Sequence, residues 1–321
     1  DDAAAVEQQF KQIERDVLAL KDHPALLMWG IGNELNLHYK NHKVWSAVND
    51  IALMIKQHDP NHPTTTMLAG AEKDDIQQVV KHCPDLDILS LQLYGEIENI
   101  EDYINDSGYD GAYLITEWGV TGHWEVPLTA WKQPLEQSSL EKGQLYKQRY
   151  ENYILNGPGN CLGSFVFLWG QKQERTPTWY GIFTKDGSKT AVVDAMQYVW
   201  TGTWPEHRAP AITSLQLDQR AATDNIQLQP GRRYSAQSQI QMCGARNLAY
   251  QWVIMREVDR ALRSEGGDFE AEPETVAEFN GAATGQDIEF TAPGPGEYRL
   301  YCYAYDVEAG TATANIPFRV K

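Results

Sequence analysis

Apolar residues along the first 200 positions follow two different spacings. Stretches with an apolar residue at every third or fourth position predict amphipathic helices, and these lie at 3–21, 44–58, 74–82, 97–107, 140–156 and 189–199. Short apolar runs between them predict buried strands, at 25–31, 64–69, 86–94, 112–116 and 161–169. Strands that alternate with helices pair side by side in a parallel sheet. The pattern therefore predicts an α/β domain over residues 1–204.

The pattern changes at the loop 203–210, which contains Pro205 and Pro210. Beyond this loop the helical spacing disappears, and alternating apolar and polar residues predict short strands, which lie at 212–217, 234–242, 249–255, 287–290, 297–305 and 311–320. Tyr298 follows a Pro-Gly-Glu turn, as the tyrosine of a tyrosine corner does. We therefore expect a second domain over residues 210–321, an immunoglobulin-like β-sandwich.

Composition and charge disfavour several classes of partner. The 321 residues carry a net charge of −17, with 42% hydrophobic residues, 10 Trp and 16 Tyr. Nucleic acids and anionic membranes bind clustered Lys and Arg, so this charge disfavours both. No run approaches the ~18 apolar residues of a membrane span. A neutral ligand fits better, and the aromatic residues suit stacking on sugars.

The four cysteines form neither a CxxC pair nor the Cys/His spacing of a zinc site. Cys243 and Cys302 both fall in the strand-rich region, where they either form a disulfide or stay small buried thiols. The first ten residues do not form a signal peptide, so we expect that a leader has been removed or that more chain lies upstream. The expected location is extracellular or periplasmic.

Two glutamates stand at the ends of predicted strands: Glu34, after Gly32 and Asn33, closes the run at 25–31, and Glu117 directly follows the strand at 112–116. In a barrel of parallel strands the carboxyl ends of the strands carry the chemistry, and two carboxylates there are what retaining glycoside hydrolysis requires. Two plainer interpretations stay open for Glu34. It opens the next helix, or it joins His38 and His42, at i, i+4 and i+8, in a metal site. The loop-like sequence between those residues disfavours the metal.

Four motifs, in chain order, resemble those of clan A glycoside hydrolases, most closely the TIM-barrel domain of family 2. They are HPALLMWGIGNE at 23–34, LDILSLQLYG at 86–95, LITEWG at 114–119 and FVFLWG at 165–170. These are similar to the fourth, sixth, seventh and eighth strands of that barrel, and the resemblance covers about residues 5–200. It implies that Glu34 is the acid/base and that Glu117 is the nucleophile.

The same resemblance implies roles for residues around the carboxylates. Asn33 would bind the sugar 2-hydroxyl, Tyr94 would orient Glu117, and Trp169 would form the floor of the sugar site. The remaining expected substrate contacts are Trp118, Gln92, His123 and Trp124, with core packing as the alternative for every aromatic residue. Gln92 stands where the family often has Asn, two positions before the tyrosine. Neither a metal nor a cofactor is expected.

The fold implied is a (β/α)8 TIM barrel that is incomplete, because the strand before Glu34 resembles the fourth of eight. Strands one to three are absent, so we expect a missing N-terminal segment, a homodimer that completes the barrel, or a degenerate barrel. The activity implied is that of a retaining β-glycoside hydrolase acting on a β-linked oligo- or polysaccharide, with a β-glucan suggested by the aromatic content. The alternatives are a transglycosylase that uses the same carboxylates and a non-catalytic carbohydrate-binding protein on an incomplete barrel.

Overall fold

A computed structural model describes residues 2–37, 39–242, 247–259, 263, 270–280, 284–308 and 310–321. The chain divides into two compact units. The first consists of Asp1–Trp118 and Asn152–Val166, and the second of Gly119–Glu151 and Phe167–Lys321. These units are interleaved along the chain, whereas the predicted domains follow one another. The division into domains at 203–210 stays a prediction.

The first unit contains a parallel sheet of five strands in the order β1-β2-β3-β4-β5. The strands are β1 (Trp29–Asn33), β2 (Thr64–Ala69), β3 (Ile88–Gln92), β4 (Ala112–Glu117) and β5 (Asn160–Ser164). The helices of this unit are α1 (Ala3–Leu20), α2 (Lys43–His58), α3 (Lys73–His82) and α4 (Ile100–Ser107). One of them precedes each of the first four strands. The predicted α/β fold of partial TIM-barrel type is confirmed.

Burial falls from the centre of this sheet to its edges. All five residues of β3 are buried, whereas Ile31 is the one buried residue of β1 and β5 has none. In the part of the chain that the structure describes, no further strand pairs with the outer edge of β1 or of β5. The expectation that the run at 25–31 is buried on both faces is therefore wrong, because an edge of an open sheet lacks the neighbours that would cover it.

The strand predicted at 25–31 also has different bounds. The amide of Leu26 donates to the carbonyl of His23 at 3.0 Å, so the first residues of the run form a turn. The sheet begins only at Trp29 and continues to Asn33. Apolar character alone does not separate a strand from an apolar turn that precedes it.

The strand predicted at 161–169 is shorter than its apolar run. It ends at Ser164, and one more backbone bond follows, from the amide of Phe165 to the carbonyl of Ile115 at 2.9 Å. Gly163 has φ +142°, a backbone conformation that other residues rarely adopt. The glycine therefore breaks the regular extension of the strand within the run.

The predicted helices are all present, with changes at their ends. Asp2 caps α1 by accepting the amides of Ala4 and Ala5 at 3.0 and 3.2 Å. The helix predicted at 97–107 is a 3-10 helix (Gly95–Asn99) followed by α4. The helix predicted at 140–156 consists of α5 (Ser139–Arg149) and a π-helical turn (Tyr150–Leu155). The last helix is α6 (Ala191–Thr201).

The second unit contains two β-sheets, in the orders β10-β9-β12-β13-β7 and β11-β8-β6. Their strands are β6 (Ala211–Leu217), β7 (Gln227–Leu228), β8 (Arg233–Gln241), β9 (Ala249–Arg256), β10 (Thr275–Phe279), β11 (Asp287–Thr291), β12 (Gly296–Asp306) and β13 (Gly310–Val320). Trp252, Leu300 and Phe318 belong to the buried core that both sheets share. The predicted β-sandwich is confirmed. The pattern missed β7 and β10, which are among its shortest strands.

Two sequence features of the sandwich fall on β12. The hydroxyl of Tyr298 donates to the carbonyl of Gly294 at 2.9 Å, which is the contact of a tyrosine corner. Cys302 is fully buried, and burial raises the pKa of its thiol to about 12, so the thiol stays protonated at neutral pH. Cys243, its possible disulfide partner, lies outside the described residues.

Candidate active site

The loop that carries Glu34 leaves the end of β1 through left-handed backbone conformations. Gly32 has φ +77° and Glu34 has φ +50°. A side chain on Gly32 would collide with that of Leu35, so glycine is required there for space as well as for its backbone angle. The amide of Glu34 donates to the carbonyl of Met67 on β2 at 3.0 Å. Glu34 therefore sits at the carboxyl end of the first strand.

Glu117 ends β4, and both of its carboxylate oxygens accept hydrogen bonds. The hydroxyl of Tyr94 donates to Oε2 at 3.0 Å, and Nε2 of Gln92 donates to Oε1 at 2.9 Å. Two donors fix the plane of a carboxylate and stabilise its ionised form more than its protonated form. Tyr94 thus lies where the resemblance places it, and its role in orienting the nucleophile stays a prediction.

Gln92 links two other strand ends from its place on β3. Its side chain is buried, with 4% of the residue exposed, and its Nε2 donates to Oδ1 of Asn33 at 2.7 Å as well as to Glu117. A reversed amide would place oxygen against oxygen at both contacts, so the orientation is determined by the partners. The Oε1 atom has no hydrogen-bond partner among the described residues. Gln92 uses its donors within the site, and its contact with substrate stays a prediction.

Asn33, Gln92, Tyr94 and Glu117 come together although they belong to three separate segments of the chain. Asn33, Gln92 and Glu117 form one hydrogen-bonded set, and the parallel register places Gln92 opposite Glu117 on adjacent strands. Asn33 pairs with Met67 at the end of β2. The carboxyl ends of β1, β3 and β4 therefore build a single cluster of amide, phenol and carboxylate groups.

Asn36 is a site residue that sequence reasoning missed. Its side chain bonds the backbone of Ala69 at the end of β2, close behind Glu34 in the chain. The signal available was its position two residues after Glu34, since a short amide side chain readily replaces a backbone group in turns.

Two tryptophans near these strand ends, Trp118 and Trp29, are engaged in packing or hydrogen bonding within the protein. Trp118 follows Glu117 and is completely buried, so its ring has no free face for a sugar, and core packing is the alternative that fits it. Trp29 begins β1 and donates its indole N–H to Oδ2 of Asp59 at 2.8 Å. Both rings therefore support the sheet.

His123 and Trp124 belong to the second unit. Trp124 is 59% exposed and meets the ring of His123 edge to face, with centroids 4.8 Å apart. Nε2 of His123 lies 3.4 Å from Oε1 of Glu174. Burial acts to raise the pKa of Glu174, but contacts with His123 and Lys172 outweigh it, and the pKa lies below its ordinary value. The exposed ring of Trp124 thus packs on the ring of His123, which in turn contacts the carboxylate of Glu174.

Trp169 also belongs to the second unit. It is 56% exposed and stacks on the ring of Trp200 with centroids 5.9 Å apart and planes inclined by 29°. Phe183 meets it edge to face at 5.3 Å. Its role as the floor of a sugar site stays a prediction.

Metal binding finds no support in the described ranges, where no group of three or more His, Cys, Asp or Glu side chains is arranged to hold an ion. His38, a member of the metal alternative for Glu34, lies outside those ranges. A search of the same ranges for a helix long and apolar enough to cross a membrane also finds none.

Residues 1–137 match the sequence model of "Glycosyl hydrolases family 2, TIM barrel domain". Similar solved structures include the Ignisphaera aggregans GH53 catalytic domain (TM-score 0.48, 16% identity, 60% of this chain and 65% of that one). A second is an FMN-binding β-glucuronidase from Facaelibacterium prausnitzii L2-6 (TM-score 0.45, 15% identity, 97% of this chain and 44% of that one). A third is the Parabacteroides merdae β-glucuronidase with glycerol in its active site (TM-score 0.42, 12% identity, 97% of this chain and 39% of that one).

This chain spans less than two thirds of the length of each of those three structures. None of the curated proteins compared with it matches. The family model covers the strand ends that carry Glu34, Gln92 and Glu117, and it spans the first three of the four motifs found in the sequence. Residues 1–137 are therefore similar to the TIM-barrel domain of glycosyl hydrolase family 2.

Proposed function

We propose that this chain carries the catalytic centre of a retaining β-glycoside hydrolase, with Glu117 as nucleophile and Glu34 as acid/base. The observation that carries the proposal is the hydrogen-bonded set of Glu117, Gln92 and Asn33 at the carboxyl ends of parallel strands. In TIM barrels this rim is where catalysis takes place. Two donors hold the carboxylate of Glu117 in one orientation, as a nucleophile requires.

The reaction proceeds in two displacements. A carboxylate oxygen of Glu117 attacks the anomeric carbon, the bond to the leaving oxygen breaks, and Glu34 gives its proton to that oxygen. Glu34, now ionised, then takes a proton from a water molecule, whose oxygen attacks the same carbon and displaces Glu117. Two inversions retain the anomeric configuration, and both carboxyl groups end in their starting protonation states.

Asn33 supplies a donor for the bound sugar. Its Oδ1 is occupied by Gln92 at 2.7 Å, so Nδ2 is the group that remains for a hydroxyl, and the residue is exposed. In such enzymes a hydrogen bond to the sugar 2-hydroxyl strengthens in the transition state. Gln92 therefore serves the sugar site indirectly, by turning the donor of Asn33 outward.

The proposed substrate is a neutral β-linked oligo- or polysaccharide, with a β-glucan as the first to test. The net charge of −17 repels acidic glycans at low ionic strength. Exposed rings of the second unit, at Trp124 and Trp169, offer apolar faces for sugar C–H groups. This assignment predicts faster hydrolysis of neutral than of uronic-acid glycosides.

The division of roles is tested by two substitutions assayed on two substrates. Glu117→Ala should abolish hydrolysis of all β-glycosides. Glu34→Ala should keep most activity on aryl glycosides whose leaving group needs no protonation, and lose about 10²–10⁴-fold on unactivated oligosaccharides. Equal loss on both substrates for Glu34→Ala would remove its assignment as the acid.

The two alternative functions give different outcomes in the same preparation. A transglycosylase makes products longer than a single supplied oligosaccharide, which chromatography of the reaction detects. A non-catalytic binding protein retains the oligosaccharide without turnover. A 2-deoxy-2-fluoro glycoside should add its glycosyl mass to the parent protein and not to Glu117→Ala, because trapping requires the nucleophile.

A further inference from the structure

We propose that Asn36 is a positioning residue for Glu34, an inference that rests on the proposed function and adds to it a device that controls the acid/base. The side chain of Asn36 makes a pair of bonds with the backbone of Ala69. Its Nδ2 donates to the carbonyl at 2.8 Å, and its Oδ1 accepts the amide at 2.9 Å. Both polar groups of one residue on β2 are thus satisfied by a side chain.

These bonds replace the backbone pairing that ends at Asn33. The register of β1 with β2 runs to Asn33 opposite Met67, and the amide of Glu34 still donates to the carbonyl of Met67 at 3.0 Å. Ala69 lies two residues further along β2. The side chain of Asn36 therefore binds β2 where a next strand residue would, while the backbone itself has turned away.

A third bond fixes the amide group of Asn36. Its Nδ2 also donates to Oδ2 of Asp75 at 2.8 Å, and Asp75 lies in the first turn of α3. The nitrogen faces two acceptors and the oxygen faces one donor, so the reversed orientation would place like groups together at all three contacts. The loop is thereby tied to both β2 and α3.

Two attachments hold the loop around Glu34. The first is the hydrogen bond from the Glu34 amide to the carbonyl of Met67, and the second is the pair of bonds that the Asn36 side chain makes with Ala69. In addition, the amide of Leu37 donates to the carbonyl of Glu34 at 3.0 Å and closes the turn. The backbone of Glu34 is left-handed, with φ +50°, a conformation that is unfavourable for a residue with a Cβ. Without the second attachment this turn can relax, and the carboxyl group moves with it.

A general acid must lie within hydrogen-bond reach of the atom that it protonates. Loss of the Asn36 attachment should therefore affect the step that needs protonation and spare the step that does not. The specific variant is Asn36→Asp, which keeps the size of the side chain, removes both donor hydrogens and places a second carboxylate against Asp75.

The chain offers a matched control in the same unit. Nδ2 of Asn49 donates to Oδ2 of Asp85 at 3.0 Å, and Oδ1 of Asn49 accepts the amide of Asp85 at 3.0 Å. Asn49→Asp therefore breaks a similar amide clamp and creates a similar carboxylate pair, away from the loop of Glu34. It controls for the general cost of the substitution to folding.

The experiment compares the parent protein, expressed with its whole encoded chain, with both variants on an unactivated oligosaccharide and on a dinitrophenyl glycoside. Asn36→Asp should lose about 100-fold in kcat/KM on the oligosaccharide and less than about fivefold on the dinitrophenyl glycoside, while Asn49→Asp loses equally on both. Equal losses on the two substrates for Asn36→Asp, or no loss on either, would overturn the proposal.

A second measurement does not depend on activity. Amide hydrogen exchange of Glu34 and Leu37 should be faster in Asn36→Asp than in the parent, and unchanged in Asn49→Asp. Unchanged exchange in Asn36→Asp overturns the positioning role by itself. Absence of all turnover by the parent protein contradicts the proposed function instead, so the two failures are distinguishable.

Discussion

The ion pair between Lys142 on α5 and Glu136 allows a direct test of how burial sets the energy of a charge pair. Nζ of Lys142 lies 2.6 Å from Oε1 of Glu136, and the two side chains are 5% and 1% exposed. The same Nζ donates to the carbonyl of Thr178. The perturbation is Lys142→Met, which keeps the length of the side chain and removes the charge.

The magnitude follows from what the substitution leaves behind. Removing one partner of a buried pair costs about 3–5 kcal/mol of folding free energy when the other charge is left uncompensated. Glu136 keeps hydrogen bonds from Thr176, Thr178 and Asn315, so we expect a cost at the lower end of that range. The control is Lys147→Met on the same helix, where Lys147 pairs with Glu151 and the side chains are 33% and 35% exposed. A pair of that exposure contributes no more than about 1 kcal/mol.

The pH dependence has a definite sign. Burial acts to raise the pKa of Glu136, but Lys142 and Arg299 outweigh it, and the pKa lies below its ordinary value. A lowered carboxyl pKa gives stability that is present above about pH 4.3 and is lost as the pH falls through the lower folded value. In Lys142→Met the pKa of Glu136 rises from that lowered value, although Arg299 still acts to lower it, so Glu136 of the folded variant takes up its proton at a higher pH than in the parent. The cost of the substitution should therefore shrink between pH 7 and pH 4.

The assay is urea unfolding followed by circular dichroism at pH 7 and at pH 4, for the parent and both variants. Lys142→Met should lower the free energy of unfolding several times more than Lys147→Met at pH 7. The difference between the two variants in lost free energy of unfolding should be smaller at pH 4 than at pH 7. Equal costs for the two variants, or a cost of Lys142→Met that does not change with pH, would refute the reasoning.

Three further predictions concern the separation of the two carboxyl groups, the glycine at position 32 and the tyrosine corner. In an experimental structure of the protein, the carboxyl groups of Glu34 and Glu117 should lie about 5–5.5 Å apart, and a separation near 9 Å would indicate an inverting enzyme. Gly32→Ala should lower the free energy of unfolding by more than the about 1–2 kcal/mol expected of Gly108→Ala, because both positions have positive φ but Gly108 faces open space; similar thermal shifts would contradict this. Tyr298→Phe should cost about 0.5–1.5 kcal/mol in chemical unfolding, since it removes one intramolecular hydrogen bond whose acceptor residue, Gly294, is exposed to water, and an unchanged midpoint would show that the tyrosine corner is not a stabilising contact.

The local sequence pattern was sufficient to predict most helices and strands of this chain. The strand at 64–69 has the bounds expected from the sequence, and the helix predicted at 44–58 ends at His58 as expected but begins one residue earlier, because β-branched residues and a Pro-rich stop act within a few positions. The tyrosine corner at Tyr298 was also legible, since it depends on a turn four residues long. The candidate site was predicted from the same kind of pattern, since Glu117 follows its apolar strand directly and Glu34 stands three positions after the run at 25–31; the catalytic roles of both residues stay predictions.

Tertiary structure decided everything that depends on which strands are neighbours. The run at 25–31 has the composition of a buried strand, yet β1 lies at an edge of the described sheet and buries Ile31 alone. Gln92 carries no local sign that its amide joins Asn33 to Glu117, and Asn36 carries none that it replaces a backbone residue beside Ala69. Periodicity reports how one segment meets water, whereas hydrogen bonds across a sheet depend on register, which brings together residues that are 25 to 59 positions apart.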